Sequence, residues 1–157
     1  MPRHPYKKKT VKTDPVHNSF EVSKLINYIM KDGKKTKARE IVYNTLEKLG
    51  KEGEESLKVL YKAISNVAPT VEVKPRRLGG ASYLVPTEVR KERRLYLALN
   101  WIVEAAEAKP NKEFRSFDEK LASELIDASK NQGQAVGKRL QAEKLAEANK
   151  AFAHLKW

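Results

Sequence analysis

Residues 70–89 read TVEVKPRRLGGASYLVPTEV, and this stretch interrupts an otherwise helical pattern of apolar residues. Val, Thr and Tyr are concentrated on both sides of Gly79-Gly80, a pair that strongly favours a two-residue hairpin loop. With this pair as the loop, Leu78 faces Ala81, and the numbers of any two paired residues add up to 159. The stretch therefore predicts two antiparallel strands joined by a tight turn.

Two prolines support this register. Pro75 is then paired with Leu84, and Pro86 is paired with Val73, and both pairs are predicted to be non-hydrogen-bonded positions of the ladder. A missing N–H group breaks no rung at such positions, whereas shifting either proline by one residue would break one. The prolines also block pairing with further strands, so we expect the ribbon to stay two-stranded and to project from the body.

The predicted ribbon carries cations on both faces. Arg76 is placed beside Tyr83 and Lys74 beside Val85 on one face, while Arg77 lies on the other face. A basic ribbon with one aromatic ring suits a nucleic-acid groove or a single strand. The alternative is an ordinary surface hairpin whose Tyr83 packs on the body.

Four cations follow the ribbon at the start of the next predicted helix, namely Arg90, Lys91, Arg93 and Arg94. The helix dipole disfavours positive charge at that end. Their placement is explained if a phosphate binds there and accepts hydrogen bonds from the side chains and from free backbone N–H groups. We therefore favour the nucleic-acid reading of the ribbon.

Apolar residues on both sides of the ribbon recur at helical spacing. The fold predicted is mainly α, a bundle of about six helices with one protruding two-stranded β-ribbon. Residues 1–18 contain five basic residues and little apolar periodicity, and we expect them to form a basic extended N-terminal arm. Residues 19–157 are predicted to form a single helical domain that includes the hairpin at 70–89.

Short polar residues mark the predicted helix starts. Asn18 with Glu21, and Ser116 with Glu119, have the spacing of capping boxes, which predicts that helices begin after Asn18 and Ser116. Other predicted boundaries are N-caps at Thr36 and Ser56, a helix end at Gly33, a fourth helix from about Glu92 to Ala108, and a break at Gly133. Trp101 lies off the main apolar stripe of the fourth helix, where it either packs in the core or faces a ligand.

Charge is concentrated in three segments of the chain. The 157 residues include 32 Lys and Arg against 20 Asp and Glu, a formal net charge of +12. Residues 1–18, 31–39 and 69–96 each carry a net charge of +4, which leaves the rest of the chain neutral. Any one such run could be a solvated face, but three runs that hold the whole excess indicate a phosphate-binding surface.

Several classes of function find no support in the residues. There is no cysteine, and His4, His17 and His154 are scattered without metal-ligand spacing. No glycine-rich phosphate loop and no nucleophile-and-base set is present. We therefore expect no enzymatic activity, cofactor, metal or small-molecule substrate. No apolar run approaches the roughly 20 residues of a membrane span, so we expect no membrane association and a cytoplasmic location.

Four stretches resemble a known family. They are DGKKTKAREIVYNT at 32–45, NVAPTVEVKPRRLGGASYLVPTEVRKERR at 66–94, LALNWI at 97–102 and AEANKAFAHLKW at 146–157. With them the chain resembles the bacterial branch of the family of the seventh small-subunit ribosomal protein across nearly its full length. The resemblance implies a structural role in the small ribosomal subunit, binding to the 3′ major domain of its RNA, and nucleation of head assembly.

The resemblance also implies partners. In that family the ribbon and the C-terminal helix lie at the exit site, near its tRNA and the upstream mRNA, and the protein contacts the ninth and eleventh small-subunit proteins. The candidate residues near exit-site tRNA and mRNA are Arg77, Leu78, Gly79, Gly80, Ala81, Ser82, Tyr83 and Asn149. The candidate RNA-binding residues are Arg3, Lys7, Lys8, Lys9, Lys12, Lys34, Lys35, Lys37, Arg39, Lys74, Arg76, Arg77, Tyr83, Arg90, Lys91, Arg93, Arg94, Lys138, Arg139 and Lys150.

Two other classes of function remain open on the residues alone. An architectural DNA-binding protein can also use a basic two-stranded arm that carries proline. Such proteins usually dimerise, and the apolar pattern leaves no spare face for a dimer core, so we do not expect an obligate homo-oligomer. The other class is an RNA-processing enzyme, which the absence of a catalytic set disfavours.

Overall fold

The computed structural model describes residues 11–50 and 55–155. These residues form six α-helices, one two-stranded antiparallel ribbon and a short 3-10 helix, which confirms the predicted fold class. The elements in chain order are α1 (Phe20–Ile29), α2 (Lys35–Gly50), α3 (Ser56–Val67), β1 (Val71–Leu78), β2 (Ala81–Glu88), α4 (Lys91–Ala108), α5 (Phe117–Ser129), α6 (Gln134–Ala148) and the 3-10 helix (Lys150–Leu155). The predicted contacts of residues 1–10 lie outside the described residues.

The ribbon has the predicted register, with Leu78 paired to Ala81 across the turn. Gly79 and Gly80 have φ angles of +55° and +89°, which only glycine adopts without strain and which the tight turn requires. At the far end, the N–H of Val89 donates to the carbonyl of Thr70 over 3.0 Å. Because hydrogen-bonded pairs alternate along an antiparallel ladder, this bond places both strand prolines at non-hydrogen-bonded positions, as predicted.

The base of the ribbon packs against the body, while its tip is exposed. Val85 and Thr87 of β2 and the following Val89 are buried, and they alternate with exposed or half-buried residues. The base contacts α6 and the 3-10 helix. Leu78 at the tip is 48% exposed, so apolar surface as well as charge is presented there.

One core joins the helices. Helix α5 packs against α2, α3 and α4, and its Leu121, Leu125 and Ala128 are fully buried. Trp101 is half-buried and packs against this core, which is the first of the two alternatives that the sequence left open. Leu140 and Leu145 of α6 are exposed, so only the first turn and Ala146 of that helix contribute buried residues.

Several predicted helix boundaries were wrong by one to a few residues. The N-cap of α1 is Ser19, whose Oγ accepts the N–H of Val22 over 3.4 Å, whereas Asn18 has a left-handed φ of 46°. Helix α2 begins at Lys35, so Thr36 lies inside its first turn, and α1 already ends at Ile29, before Gly33.

The later boundaries were closer to the prediction. Helix α3 begins at Ser56 itself, and Glu55 takes the cap position. Ser116 is the N-cap of α5 but makes no side-chain capping bond, and Glu119 instead accepts the N–H of Arg115 over 2.9 Å. Gly133 separates α5 from α6 as predicted.

The segment before α1 is tied to the body by one carboxylate. Asp14 is buried and accepts hydrogen bonds from the N–H groups of Val16 and His17, each over 3.1 Å. The hydroxyl of Tyr43 in α2 donates to the same carboxylate over 2.9 Å. Asp14 thereby fixes the segment before α1 against the middle of α2.

Candidate nucleic-acid interface

The start of α2 presents the first group of cations. Lys34, Lys35 and Lys37 are exposed, and Arg39 is half-buried. The first turn of α2 has no acidic residue, and Lys34 has only a loose, exposed pair with Asp32 at 3.7 Å. Lysines at a helix start oppose the helix dipole, so an anion bound there would stabilise this end of α2.

The start of α4 presents the second group. Arg90 is the N-cap residue, and its side chain makes no capping bond because a guanidinium has only donors. Lys91 is exposed in the first turn, and the half-buried Arg94 has an Nε atom without a hydrogen-bond partner in the described part of the chain. This helix end therefore offers both side-chain and backbone donors to a phosphate.

Glu72 balances two of the predicted RNA-binding residues. Its carboxylate lies 2.9 Å from Nζ of Lys74 and 2.9 Å from Nε of Arg93. Burial raises the pKa of Glu72, but the bonds from Lys74 and Arg93 lower that pKa by more, so it lies below its ordinary value. Arg93 also lies over the ring of Tyr96, 5.7 Å from its centroid. Lys74 and Arg93 are therefore less available to phosphate than their neighbours.

The aromatic ring of the ribbon and its outermost cation have different surroundings. Arg77 is exposed near the tip, whereas the ring of Tyr83 is half-buried and lies 5.3 Å from the ring of Phe152 in the 3-10 helix. The packing of Tyr83 on the body is the alternative that the sequence left open. Contact of Tyr83 with RNA stays a prediction.

The candidate RNA-binding residues in α6 and after it differ in whether a carboxylate lies beside them. Lys138 pairs with Glu104, and Arg139 lies 3.8 Å from Glu143 in an ion pair. Both cations therefore already have a carboxylate neighbour. Lys150 is exposed, and the adjacent candidate Asn149 caps α6, where its side-chain amide donates to the carbonyl of Leu145 over 2.8 Å.

A subset of the predicted cations has no carboxylate within ion-pair distance among residues 11–50 and 55–155. Its members are Lys12, Lys35, Lys37, Arg39, Arg77, Arg90, Lys91, Arg94 and Lys150. They occur in all three basic segments and in the C-terminal segment. We refer to them as the unpaired cations, and they form the candidate interface.

Comparison with known proteins identifies the family. The profile described as Ribosomal protein S7p/S5e matches residues 1–150. The chain is 51% identical over 158 residues to the small ribosomal subunit protein uS7 of Nautilia profundicola, and 49% identical over 159 residues to that of Sulfurihydrogenibium sp., with full coverage of each chain. Identity to the uS7 protein of Xanthomonas euvesicatoria is 44%, over 95% of this chain and 94% of the relative.

The chain belongs to the ribosomal protein S7p/S5e family. This confirms the small-subunit family that the sequence indicated. The family consists of ribosomal structural proteins, so the chain is a structural protein and not an enzyme, as predicted. Ribosomal proteins of bacterial type are cytoplasmic, which confirms the predicted location.

Two searches of the described residues were negative. No group of three or more His, Cys, Asp or Glu side chains there is placed to hold a metal ion. No helix in the same ranges is long and apolar enough to cross a membrane.

The sequence reasoning missed one cationic group of this S7p/S5e member. Arg115 and Lys120 line a cleft with Phe114 and Phe117, outside the three basic segments. The alternation of ring and cation in Phe114-Arg115-Ser116-Phe117 was the available signal. It was overlooked because the net charge of this part of the chain is close to zero.

Proposed function

We propose that this member of the S7p/S5e family is a primary binder of small-subunit ribosomal RNA that nucleates assembly of the subunit head on the 3′ major domain. The observation that carries the proposal is the set of unpaired cations, which the fold leaves exposed or half-buried before α1, at the starts of α2 and α4, at the ribbon tip and after α6. Each neutralised phosphate releases counterions, and such contacts supply much of the affinity for nucleic acid.

Recognition would depend mainly on RNA shape. The deep, narrow major groove of A-form RNA hides base edges from side chains, so phosphates and 2′-hydroxyls offer most of the contacts. The helices α2 and α4 fix the backbone positions of the cations at their starts, which suits a fixed pattern of phosphates. Residues 1–18 would add a basic arm with five further cations to the same surface.

The ribbon tip and the C-terminal segment would serve a second role, at the exit site. The contact between Tyr83 and Phe152 joins these two elements, so residues 77–82 and Asn149 can act as one surface. That surface would lie near exit-site tRNA and upstream mRNA. The ninth and eleventh small-subunit proteins would be its protein neighbours.

The test is crosslinking in cells followed by sequencing of the bound RNA. We expect the reads to concentrate in the 3′ major domain of small-subunit RNA. A variant with Lys35→Gln and Lys37→Gln should lower the yield. A control with Lys58→Gln and Lys62→Gln removes the same charge from exposed positions of α3 and should not lower it. Reads spread over large-subunit RNA, or recovery of DNA instead, would overturn the proposal.

A further inference from the structure

Glu72 lies where the base of the ribbon meets the start of α4. It is paired with Thr87 of β2, whose hydroxyl donates to the carbonyl of Glu72 over 3.4 Å. Side chains at alternate positions of a strand point to the same face, so Glu72 shares a face of the ribbon with Lys74. Only 13% of the Glu72 side chain is exposed, whereas the side chains of Lys74 and Arg93 are 47% and 50% exposed. An enclosed carboxylate therefore lies beside two cations that reach the solvent.

Each oxygen of this carboxylate holds one cation. Oε1 lies 2.9 Å from Nζ of Lys74, and Oε2 accepts the Nε–H of Arg93 over 2.9 Å. These are the distances of charge-assisted hydrogen bonds, which are roughly twice as strong as neutral ones. Because the pKa of Glu72 lies below its ordinary value, the carboxylate is charged in neutral solution. Both bonds are therefore present under the conditions in which the chain would meet RNA.

A phosphate can use Lys74 or Arg93 only in competition with Glu72. The three side chains together carry a charge of +1, which is half of what two free cations would present. Moving either cation to a phosphate would leave the enclosed carboxylate with one partner fewer, and an enclosed charge that loses a hydrogen bond is penalised. Glu72 therefore lowers the attraction of this part of the surface for a polyanion.

The charges around Glu72 are not restrained in this way. Arg90, Lys91 and Arg94 at the same helix start belong to the unpaired cations. Glu88 is the other acidic residue of the two strands, and it is exposed. Among residues 11–50 and 55–155, no cation lies within ion-pair distance of Glu88. The restraint on cations at the ribbon base is therefore a property of Glu72 and not of acidic residues of the ribbon in general.

We propose that Glu72 is a specificity-determining residue, which withholds Lys74 and Arg93 from RNA that lacks the cognate shape. A flexible single strand can bring its phosphates to any free cation, so its affinity rises with the number of free cations. A folded RNA holds its phosphates at fixed positions, so cations released outside that pattern add little to its affinity. Glu72 thereby lowers non-cognate binding more than cognate binding. The inference rests on the proposed RNA-binding function.

The test measures the affinity of full-chain variants for two probes, a 3′ major domain RNA fragment and a single-stranded polyuridylate of the same length. Glu72→Gln keeps the shape of the side chain and removes the charge that holds the two cations. At ~0.1 M salt, its affinity for polyuridylate should rise about fivefold for each cation released, and the salt slope should steepen by about 0.7 per cation. Its affinity for the domain fragment should change less than about twofold.

Glu88→Gln is the matched control, because it removes the same charge from the same ribbon without releasing a cation. Its affinity for polyuridylate should rise less than about twofold. Equal gains in the two variants would show only an effect of net charge and would overturn the proposal. Unchanged affinity of Glu72→Gln for polyuridylate would overturn it as well. If Glu72→Gln instead lost affinity for the domain fragment alone, Glu72 would position the cations for cognate RNA, contrary to the proposal.

Two further comparisons trace the gain to the cations themselves. In a chain that carries Lys74→Gln and Arg93→Gln, adding Glu72→Gln should raise the affinity for polyuridylate no more than Glu88→Gln does. In the otherwise unchanged chain, Lys74→Gln should lower that affinity less than Lys91→Gln, because Lys91 has no carboxylate partner in the described ranges. The second comparison keeps Glu72 in place, so it also applies if Glu72→Gln fails to fold. Equal losses in Lys74→Gln and Lys91→Gln would contradict the proposal.

The same measurements distinguish failure of this inference from failure of the proposed function. If the Lys35→Gln, Lys37→Gln variant loses affinity for the domain fragment but Glu72→Gln gains none for polyuridylate, the inference fails and RNA binding remains in place. If the unchanged chain binds both probes equally well, both the proposed function and the inference fail.

Discussion

The ring of Tyr83 in the ribbon lies 5.3 Å from the ring of Phe152 in the C-terminal 3-10 helix, at an interplanar angle of 52°. Tyr83 is paired with Arg76 in the ribbon, just inside the exposed tip. The C-terminal segment therefore supports the ribbon close to its tip. A two-stranded ribbon alone is marginally stable in water, so this support matters for its order.

Changing Phe152 to Ala should loosen the ribbon without unfolding the helices. A tilted aromatic pair contributes about 1 kcal/mol beyond its buried area, so protection of the Tyr83 amide from exchange should fall roughly fivefold. Hydrogen exchange followed by NMR measures this directly. His154→Ala changes an exposed residue of the same 3-10 helix and serves as the control. Equal loss of protection in both variants would contradict the supporting role of the ring contact.

Shortening the ribbon should affect the exit site rather than head assembly. Because Arg76 and Tyr83 are paired, residues 77–82 can be replaced by Asn-Gly, which closes a two-residue hairpin and keeps the contact with Phe152. We expect weaker retention of deacylated exit-site tRNA and poorer maintenance of reading frame. The helical core should stay as stable, because no core helix is cut.

The complementary change is at the start of α2. Replacing Lys34, Lys35, Lys37 and Arg39 with glutamine should impair head assembly. Both quantities, head assembly and exit-site tRNA retention, are to be measured in both variants. Separate roles are excluded if the shortened ribbon abolishes assembly as completely as the α2 change does.

Removing the Tyr43 hydroxyl should make the free energy of unfolding less dependent on pH in the acidic range. Burial raises the pKa of Asp14, but hydrogen bonds from the His17 N–H, the Tyr43 hydroxyl and the Val16 N–H, together with the charge of His17, lower it by more. The folded-state pKa therefore lies below the unfolded value of about 3.9. The stabilisation is complete above that value and is lost as the pH falls through the folded pKa.

Tyr43→Phe should accordingly cost about 1.5 kcal/mol of unfolding free energy at pH 7, since the hydroxyl donates to a charged group. The cost should shrink as the pH falls below about 4. Urea unfolding at pH 7 and at pH 3 measures both values. Tyr28→Phe is the control, because the Tyr28 ring contacts Tyr96 edge-on and its hydroxyl donates to no carboxylate among residues 11–50 and 55–155. A penalty that does not change with pH would show that Asp14 is not the acceptor that matters.

Changing Glu124 to Gln should be among the most destabilising substitutions. This fully buried carboxylate accepts the N–H of Ala135 over 3.0 Å and lies 3.1 Å from Nζ of Lys109. Removing one partner of a buried ion pair costs about 3 kcal/mol. Asp127→Asn, at a side chain that is 42% exposed and also pairs with Lys109, should cost less than about 1 kcal/mol. Urea unfolding measures the loss of unfolding free energy in each variant. Equal losses in the two variants would contradict a special role for the buried carboxylate of Glu124.

The ribbon could be predicted in detail because its determinants are local. The Gly79-Gly80 turn and the two strand prolines together allow one register, and the structure has that register. The start of α1 could not be predicted to the residue, because Asn18 and Ser19 are both common N-cap residues. Ser19, which is the N-cap, has a partner that no local signal reveals, since the hydroxyl of Tyr61 in α3 donates to its Oγ over 2.9 Å across 42 positions of sequence.

The sequence could predict which segments of the chain form the candidate site, but not which of their cations lack a carboxylate partner. Charge counting identified Lys138 as a candidate, yet the fold brings Glu104, which is 34 positions away, into an ion pair with it. Counting along the chain cannot find such a partner, because the pair is formed by residues that are close in space but distant in sequence.

The most direct test of the central claim, that the unpaired cations bind ribosomal RNA through its phosphates, is the salt dependence of affinity. Binding of the full chain to a 3′ major domain RNA fragment is measured from low to physiological salt and beyond. If six or more phosphates are neutralised, log affinity should fall against log salt with a slope of about −4 or steeper. A slope near −1 would contradict the account, because the basic segments would then be solvated surface rather than an RNA-binding interface.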